Sequence, residues 1–209
     1  MVVAPRLKLA LIALTLCAVA AVVGVWLALR DDAGPSTRLQ LTNGWAGAQR
    51  PSGQPVPDFT LRDQDAKPVS AADLRGTPVV FAFIYSTCRD TCPAQVQTIR
   101  NALDELPAAE RNRVQVVGVS VDPGNDTPRR AQSFLLKQQM TGRMRFLLGS
   151  RAQLAPIWKA FAIQPQSDQL EHSAHTVLAD AEGFQRIGFP YDHLTGEALE
   201  HDLARLSTR

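Results

Sequence analysis

Cysteine is scarce in this 209-residue chain. There are three, too few for a disulfide scaffold, and with 45% hydrophobic residues the chain can bury a core without one. An excess of either charge is missing as well. Lysine and arginine number 22 against 20 acidic residues, and once Arg6, Lys8 and Arg30 are set aside, 19 basic residues face 20 acidic ones in 31–209. Without a polycationic face, nucleic acid is a poor partner. No internal repeat and no low-complexity segment is present, which leaves one ordinary domain plus accessory segments.

Charge is wholly absent from Leu9 to Leu29. A helix of that length spans a hydrocarbon core of about 30 Å. Arg6 and Lys8 precede the run and Arg30, Asp31 and Asp32 follow it, so the positive-inside tendency keeps the N-terminus in the cytoplasm and exports the rest. Ala18-Val19-Ala20 has the small-x-small form of a signal-peptide cleavage site, but the apolar run continues well beyond it. A lipoprotein reading at Cys17 is weakened by bulky Leu16. The expected organisation is a single transmembrane anchor over 1–30, a Gly/Pro-rich tether over 31–54 and a folded domain over 55–209. Its place is the inner membrane, with the domain on the periplasmic or extracytoplasmic side.

Within the domain, 57–78 reads as a short strand, a turn and an entry loop. TPVVFAFIY (77–85) is a continuous apolar run, as in a strand buried on both faces. Val96, Ile99, Leu103 and Leu106 recur at helical spacing up to Pro107. Strands are predicted at 114–122, 145–149, 175–180 and 184–190, and helices at 129–140, 151–163 and 196–206, with a kink or late start at Pro156. This alternation predicts an α/β fold with a mainly parallel sheet flanked by helices.

The chemistry-bearing stretch is YSTCRDTCPAQ (85–95). Cys88 and Cys92 follow the apolar strand and meet a helix N-terminus, whose unsatisfied N–H groups lower a thiol pKa. Three residues separate them, where redox dithiols of the thioredoxin type have two. One helical turn puts i and i+4 on one face, a spacing that suits two ligands of one metal and, after a modest adjustment, a disulfide. A metal needs a further ligand from His172, His175, His193 or His201. His193 and His201 fall near or on the last helix, where a solvated histidine is usual, whereas His172 and His175 lie at the loop entering a late apolar strand. Two thiolates and an imidazole form a soft set that favours copper; structural zinc takes four closed protein ligands.

At these residues the chain resembles the Sco/SenC family, membrane-tethered thioredoxin-like proteins that help load copper into cytochrome c oxidase. The resemblance rests on FIYSTCRDTCP, on SVDPGNDTP (120–128), on the acidic-His-Ser loop EHS and on the DAEG turn, and it covers about residues 55–206. It implies that Cys88, Cys92 and His172 bind copper, that Asp122 and Pro123 shape the neighbouring loop, and that Asp126 ties that loop down. Departures are Arg89 where the family often has proline, Glu171 where aspartate is commoner, and His175 where an apolar residue is usual, so His175 could replace or supplement His172. Thioredoxin-like oxidoreductases place a cis-proline before this strand; His172-Ser173-Ala174-His175 contains none.

The leading expectation is therefore a membrane-anchored copper metallochaperone that serves the copper-accepting subunit of cytochrome c oxidase and depends on a thiol reductant protein. The alternative is a thiol-disulfide oxidoreductase that uses Cys88 and Cys92 as its redox pair. A peroxiredoxin-like peroxidase ranks third, and a purely structural disulfide is the plain reading against all three.

Overall fold

The computed structural model describes residues 5–30, 39–166 and 174–207, with side chains of the first stretch described for 13–26. It divides into two units, Met1–Gln40 and Leu41–Arg209. The first carries helix α1 (Pro5–Arg30), whose described side chains are all exposed, Leu14 and Val22 among them. Among the described residues, no helix is long and apolar enough to cross a membrane.

The second unit runs β1 (Ala48–Gln49), β2 (Thr60–Arg62), β3 (Pro68–Ser70), β4 (Val79–Ile84), α2 (Thr91–Glu105), α3 (Ala108–Arg111), β5 (Gln115–Ser120), α4 (Pro128–Lys137), β6 (Arg145–Leu147), α5 (Arg151–Phe161), β7 (His175–Ala179), β8 (Gln185–Pro190) and α6 (Gly196–Ser207). β2 and β3 form a separate hairpin; the other strands make one sheet in the order β1-β8-β7-β4-β5-β6.

All six residues of β4 are buried, which is why its sequence is unbroken hydrophobe. It pairs parallel with β5 from Val79↔Gln115 to Ile84↔Ser120, and antiparallel with β7 from Val79↔Ala179 to Ala82↔Thr176. The carboxyl ends of β4 and β5 thus lie beside the amino end of β7. Phe161 seals one face of the sheet, with ring centroids 5.0 and 5.1 Å from Phe81 and Phe83.

The sheet is mixed, which corrects the expectation of a mainly parallel one. Only the β4–β5 and β5–β6 pairs are parallel; the β4–β7, β7–β8 and β8–β1 pairs are antiparallel. The DAEG turn makes the β7–β8 pair antiparallel. Asp180 accepts from the backbone N–H of Glu182 (3.1 Å) and Phe184 (2.8 Å), and Gly183 takes φ +88°, closing β7 onto β8 as a hairpin. Pro156 lies inside α5, which starts at a Ser150–Gln153 capping box, so no late start occurs.

The folded unit also begins earlier than residue 55. Trp45 is buried, β1 pairs with β8, and the buried carboxylate of Asp202 accepts from the N–H groups of Ala46 and Gly47, both at 2.9 Å. A Cβ on Gly47 would sit 2.4 Å from Ile187 Cγ2, so this glycine permits close packing where the sequence suggested a linker. Residues 31–38 of the expected tether lie outside the described residues.

Candidate metal and thiol site

Cys88 lies in the loop leaving β4, and Cys92 in the first turn of α2. Asp90 caps that helix, accepting from Thr91 N at 2.6 Å. The cap turns the chain so that the Cys92 N–H donates to Cys88 Sγ at 3.2 Å. Neither cysteine is in a disulfide; Cys88 is 8% exposed and Cys92 is fully buried.

This contact splits the two thiols chemically. The Cys92 thiol, with the N–H groups of Cys92 and Asp90 and the Tyr85 hydroxyl, hydrogen-bonds Cys88 and lowers its pKa to about 6 against the opposing effect of burial. The same hydrogen bond to Cys88, together with burial, pushes the Cys92 thiol well above its ordinary range. Burial and the Cys88 bond likewise raise the Tyr85 phenol, which stays protonated and able to donate. The Cys92 thiol thus contributes most to the Cys88 shift, with backbone N–H groups adding to it as a helix N-terminus would. The lowered value favours the thiolate of Cys88, nearly buried at 8% exposure, in front of the fully buried Cys92 thiol.

Two further links fix the loop. Asp126 is buried and accepts from Ser86 N (2.7 Å), Ser86 Oγ (2.5 Å) and Ser120 Oγ (2.5 Å), joining the SVDPGNDTP loop to the residue two before Cys88. Burial pushes its carboxyl up, while these hydrogen bonds favour the charged form. Asp122 organises the same loop, its backbone oxygen accepting from Asn125 N and Asp126 N. Gln95, fully buried, donates from Nε2 to His175 O and to Thr176 Oγ1, both at 2.9 Å, and so ties α2 to the start of β7.

His175 is the first residue of β7, half-buried, with its imidazole pKa lowered by burial and by Arg50 against the pull of Asp192. It is neutral at physiological pH, as a metal ligand must be. His172 lies outside the described residues, but both flanks of its segment are fixed. Gln166 N donates to Val121 O (3.0 Å) just beyond β5, and Tyr191 N donates to Ala174 O (3.0 Å). Gln166 and Ala174 therefore both lie at the end of the sheet where β4 delivers the cysteines. His193 is exposed beside Asp192, and His201 Nδ1 contacts Asp202 on α6 at 2.9 Å; both belong elsewhere. Among the described residues, no group of three or more His, Cys, Asp or Glu side chains forms a metal cluster.

Ser86 and Gln95 were not singled out from the sequence. Gln95 carried a signal, because the spacing of Val96, Ile99 and Leu103 places position 95 on the buried face of α2. Ser86 carried none, since its role depends on a contact forty residues away.

Fold and site together define a thioredoxin-like α/β protein with a CxxxC dithiol at the carboxyl end of its central strands. The family model for SCO1/SenC matches residues 47–208, and the chain belongs to that family. A Bacillus subtilis relative, SCO1 protein homolog, is 29% identical over 135 residues, 61% of this chain and 69% of its own. Among solved structures, copper-bound ScoI from Bradyrhizobium japonicum matches with a TM-score of 0.61 at 27% identity, over 72% of this chain and 98% of its own. BsSco, described with a disulfide switch as a member of the Sco family of cytochrome c oxidase assembly proteins, matches with a TM-score of 0.66 at 26% identity, over 77% and 98%.

Proposed function

We propose that this protein binds copper through Cys88, Cys92 and His172 and hands it on during assembly of the cytochrome c oxidase copper centre, tethered to the membrane by α1 with its folded unit on the extracytoplasmic side. The observation that carries the reading is the sulfur pair itself: Cys88 with a lowered pKa, Cys92 in contact behind it, at the end of the central strands where both flanks of the His172 segment are anchored. Two sulfurs suit a soft cargo ion, and copper-bound ScoI from Bradyrhizobium japonicum is similar over nearly its whole length. A three-ligand site leaves a coordination position for the acceptor's ligand, so transfer needs no unfolding. Copper is cargo here, and the cysteines must be reduced to take it.

A second reading has its own support. A thiol of lowered pKa in front of a fully buried thiol of raised pKa is the arrangement of a dithiol reductant, and the similar BsSco carries a disulfide switch. The same pair can serve both roles, oxidation turning copper binding off.

Copper titration of the reduced chain against a competing chelator tests the proposal. The expected result is about one copper per chain, abolished in Cys88→Ser and Cys92→Ser and strongly weakened in His172→Ala. Unchanged binding in His172→Ala, with loss in His175→Ala, moves the imidazole ligand to His175. Undiminished binding in the cysteine variants overturns the site.

A further inference from the structure

We propose that the groove between the Cys88 loop and α4 receives an acidic segment of a partner protein that brings its own cysteines to Cys88. This deepens the proposed function, since it rests on Cys88 and Cys92 exchanging with a partner. The groove is a cavity of about 470 Å³ lined by Ser86, Thr87, Cys88, Arg89, Arg130 and Lys137, with Pro93 and Phe134 as apolar floor. Three cations line it and no acid does. Arg89 and Lys137 take part in no ion pair among the described residues. Arg130 is aimed by a 2.7 Å hydrogen bond from Nη1 to Asn125 O, a neutral carbonyl that leaves its charge uncompensated. Asp90, 3.7 Å from Cys88 Sγ, caps α2 through Thr91, and Asp126 is buried against Ser86 and Ser120; neither lines the groove, whose own lining charge is wholly positive.

The asymmetry is specific to this side of Cys88. The cavity on the other side of the loop, about 760 Å³, is lined by Asp122 and Arg151, one charge of each sign. Helix α4 has no acidic residue, and its outer face adds Arg129 and the 70% exposed Leu136 beside Lys137. From Arg130 to Lys137 the helix rises about 10 Å, the reach of roughly three extended residues. Fixed positive charge along that path and one apolar side chain at its end fit a carboxylate-rich peptide carrying a hydrophobic residue.

The exchange balances without another reactant. The Cys88 thiolate attacks one sulfur of a partner disulfide, forming the Cys88–partner bond and releasing the other partner sulfur as a thiolate. Cys92, losing its proton to solvent, then attacks Cys88 Sγ and expels the second partner thiolate. Two electrons pass from the Cys88–Cys92 pair to the partner, whose sulfurs take up two protons.

The test uses the full reduced chain carrying Cys17→Ser, with symmetrical peptide disulfides of the sequences Glu-Glu-Cys-Glu-Leu, Lys-Lys-Cys-Lys-Leu and Glu-Glu-Cys-Glu-Ser, and neutral dithiodipyridine as reference for intrinsic reactivity. Normalised to that reference, the acidic leucine peptide should react on the order of tenfold faster than the basic one at low salt, the preference collapsing at about 0.5 M salt. Arg130→Gln with Lys137→Gln should remove most of it. Leu136→Gln should erase the difference between the leucine and serine peptides. Equal rates for acidic and basic peptides, or a preference untouched by the double variant, overturns the proposal. A charge preference indifferent to Leu136 overturns the protein segment and leaves a site for small anionic thiols. Copper titration stands apart from all these rates, so failure here and failure of the copper reading are distinguishable.

Discussion

At the scale of single residues, the site turns on two cysteines with opposite acidities. The largest cause is the hydrogen bond between the two thiols, which a substitution can remove. On a Cys17→Ser background, which eliminates the exposed thiol of α1, the rate of Cys88 alkylation should plateau above its pKa of about 6 and fall about tenfold per pH unit below it, as the thiolate is protonated. Cys92→Ala removes the largest cause of the lowered value, so the inflection should move up. It should stop short of an ordinary thiol, because the residue-92 N–H still donates. An inflection unchanged by Cys92→Ala would show that the two sulfurs do not set each other's acidity. The cysteines were legible in the sequence because their chemistry is local to one helix start. Gln95 was half legible, since helical spacing marks it as buried but does not reveal that it grips β7. Asp126 was expected to hold its own loop; that it also holds Ser86 depends on the β4–β5 pairing, which no local pattern encodes.

At the scale of elements, the reactive loop is kept in place by its neighbours. Asp126 joins the loops that follow β4 and β5. Asp126→Ala would leave one backbone and two hydroxyl donors without their acceptor in a buried site, a loss of about 2–3 kcal/mol measurable by urea unfolding. It should also slow Cys88 alkylation at neutral pH or broaden its pH profile; a variant matching the parent in both measurements would deny the joint its role. Most elements were readable from sequence because hydrophobic periodicity reports burial: β4, β5, α2 and α6 fall close to their expected limits. What could not be read was pairing direction. A buried strand looks the same whether its neighbours run with it or against it, so β7 gave no warning that it enters the sheet antiparallel. Strand β1 was missed for a different reason, being two residues long in a glycine-rich stretch.

At the scale of the whole chain, the two units have different tasks under the proposed function. If α1 is the anchor, the full chain should stay in the membrane pellet through alkaline carbonate extraction, while residues 41–209 alone should appear in the supernatant and bind copper in the same proportion. Release of the full chain by carbonate would remove the anchor from the proposal and leave the copper site standing. The boundary for such a truncation is Leu41 rather than residue 55, because Asp202 and β8 hold the chain from Ala46 to Gln49.

The antiparallel seat of β7 against β4 sets an order of events during synthesis. The sulfur half of the site is spelled out by residue 92, and β5 can pair with β4 soon afterwards. Under the proposed function, a histidine ligand can join it only when β7 has found the opposite edge of β4, after some eighty further residues have been made. A nascent chain therefore offers a metal ion two sulfurs and no complete cradle. Tight capture would begin only when the protein is finished, which guards an unfinished polypeptide against being locked around its cargo.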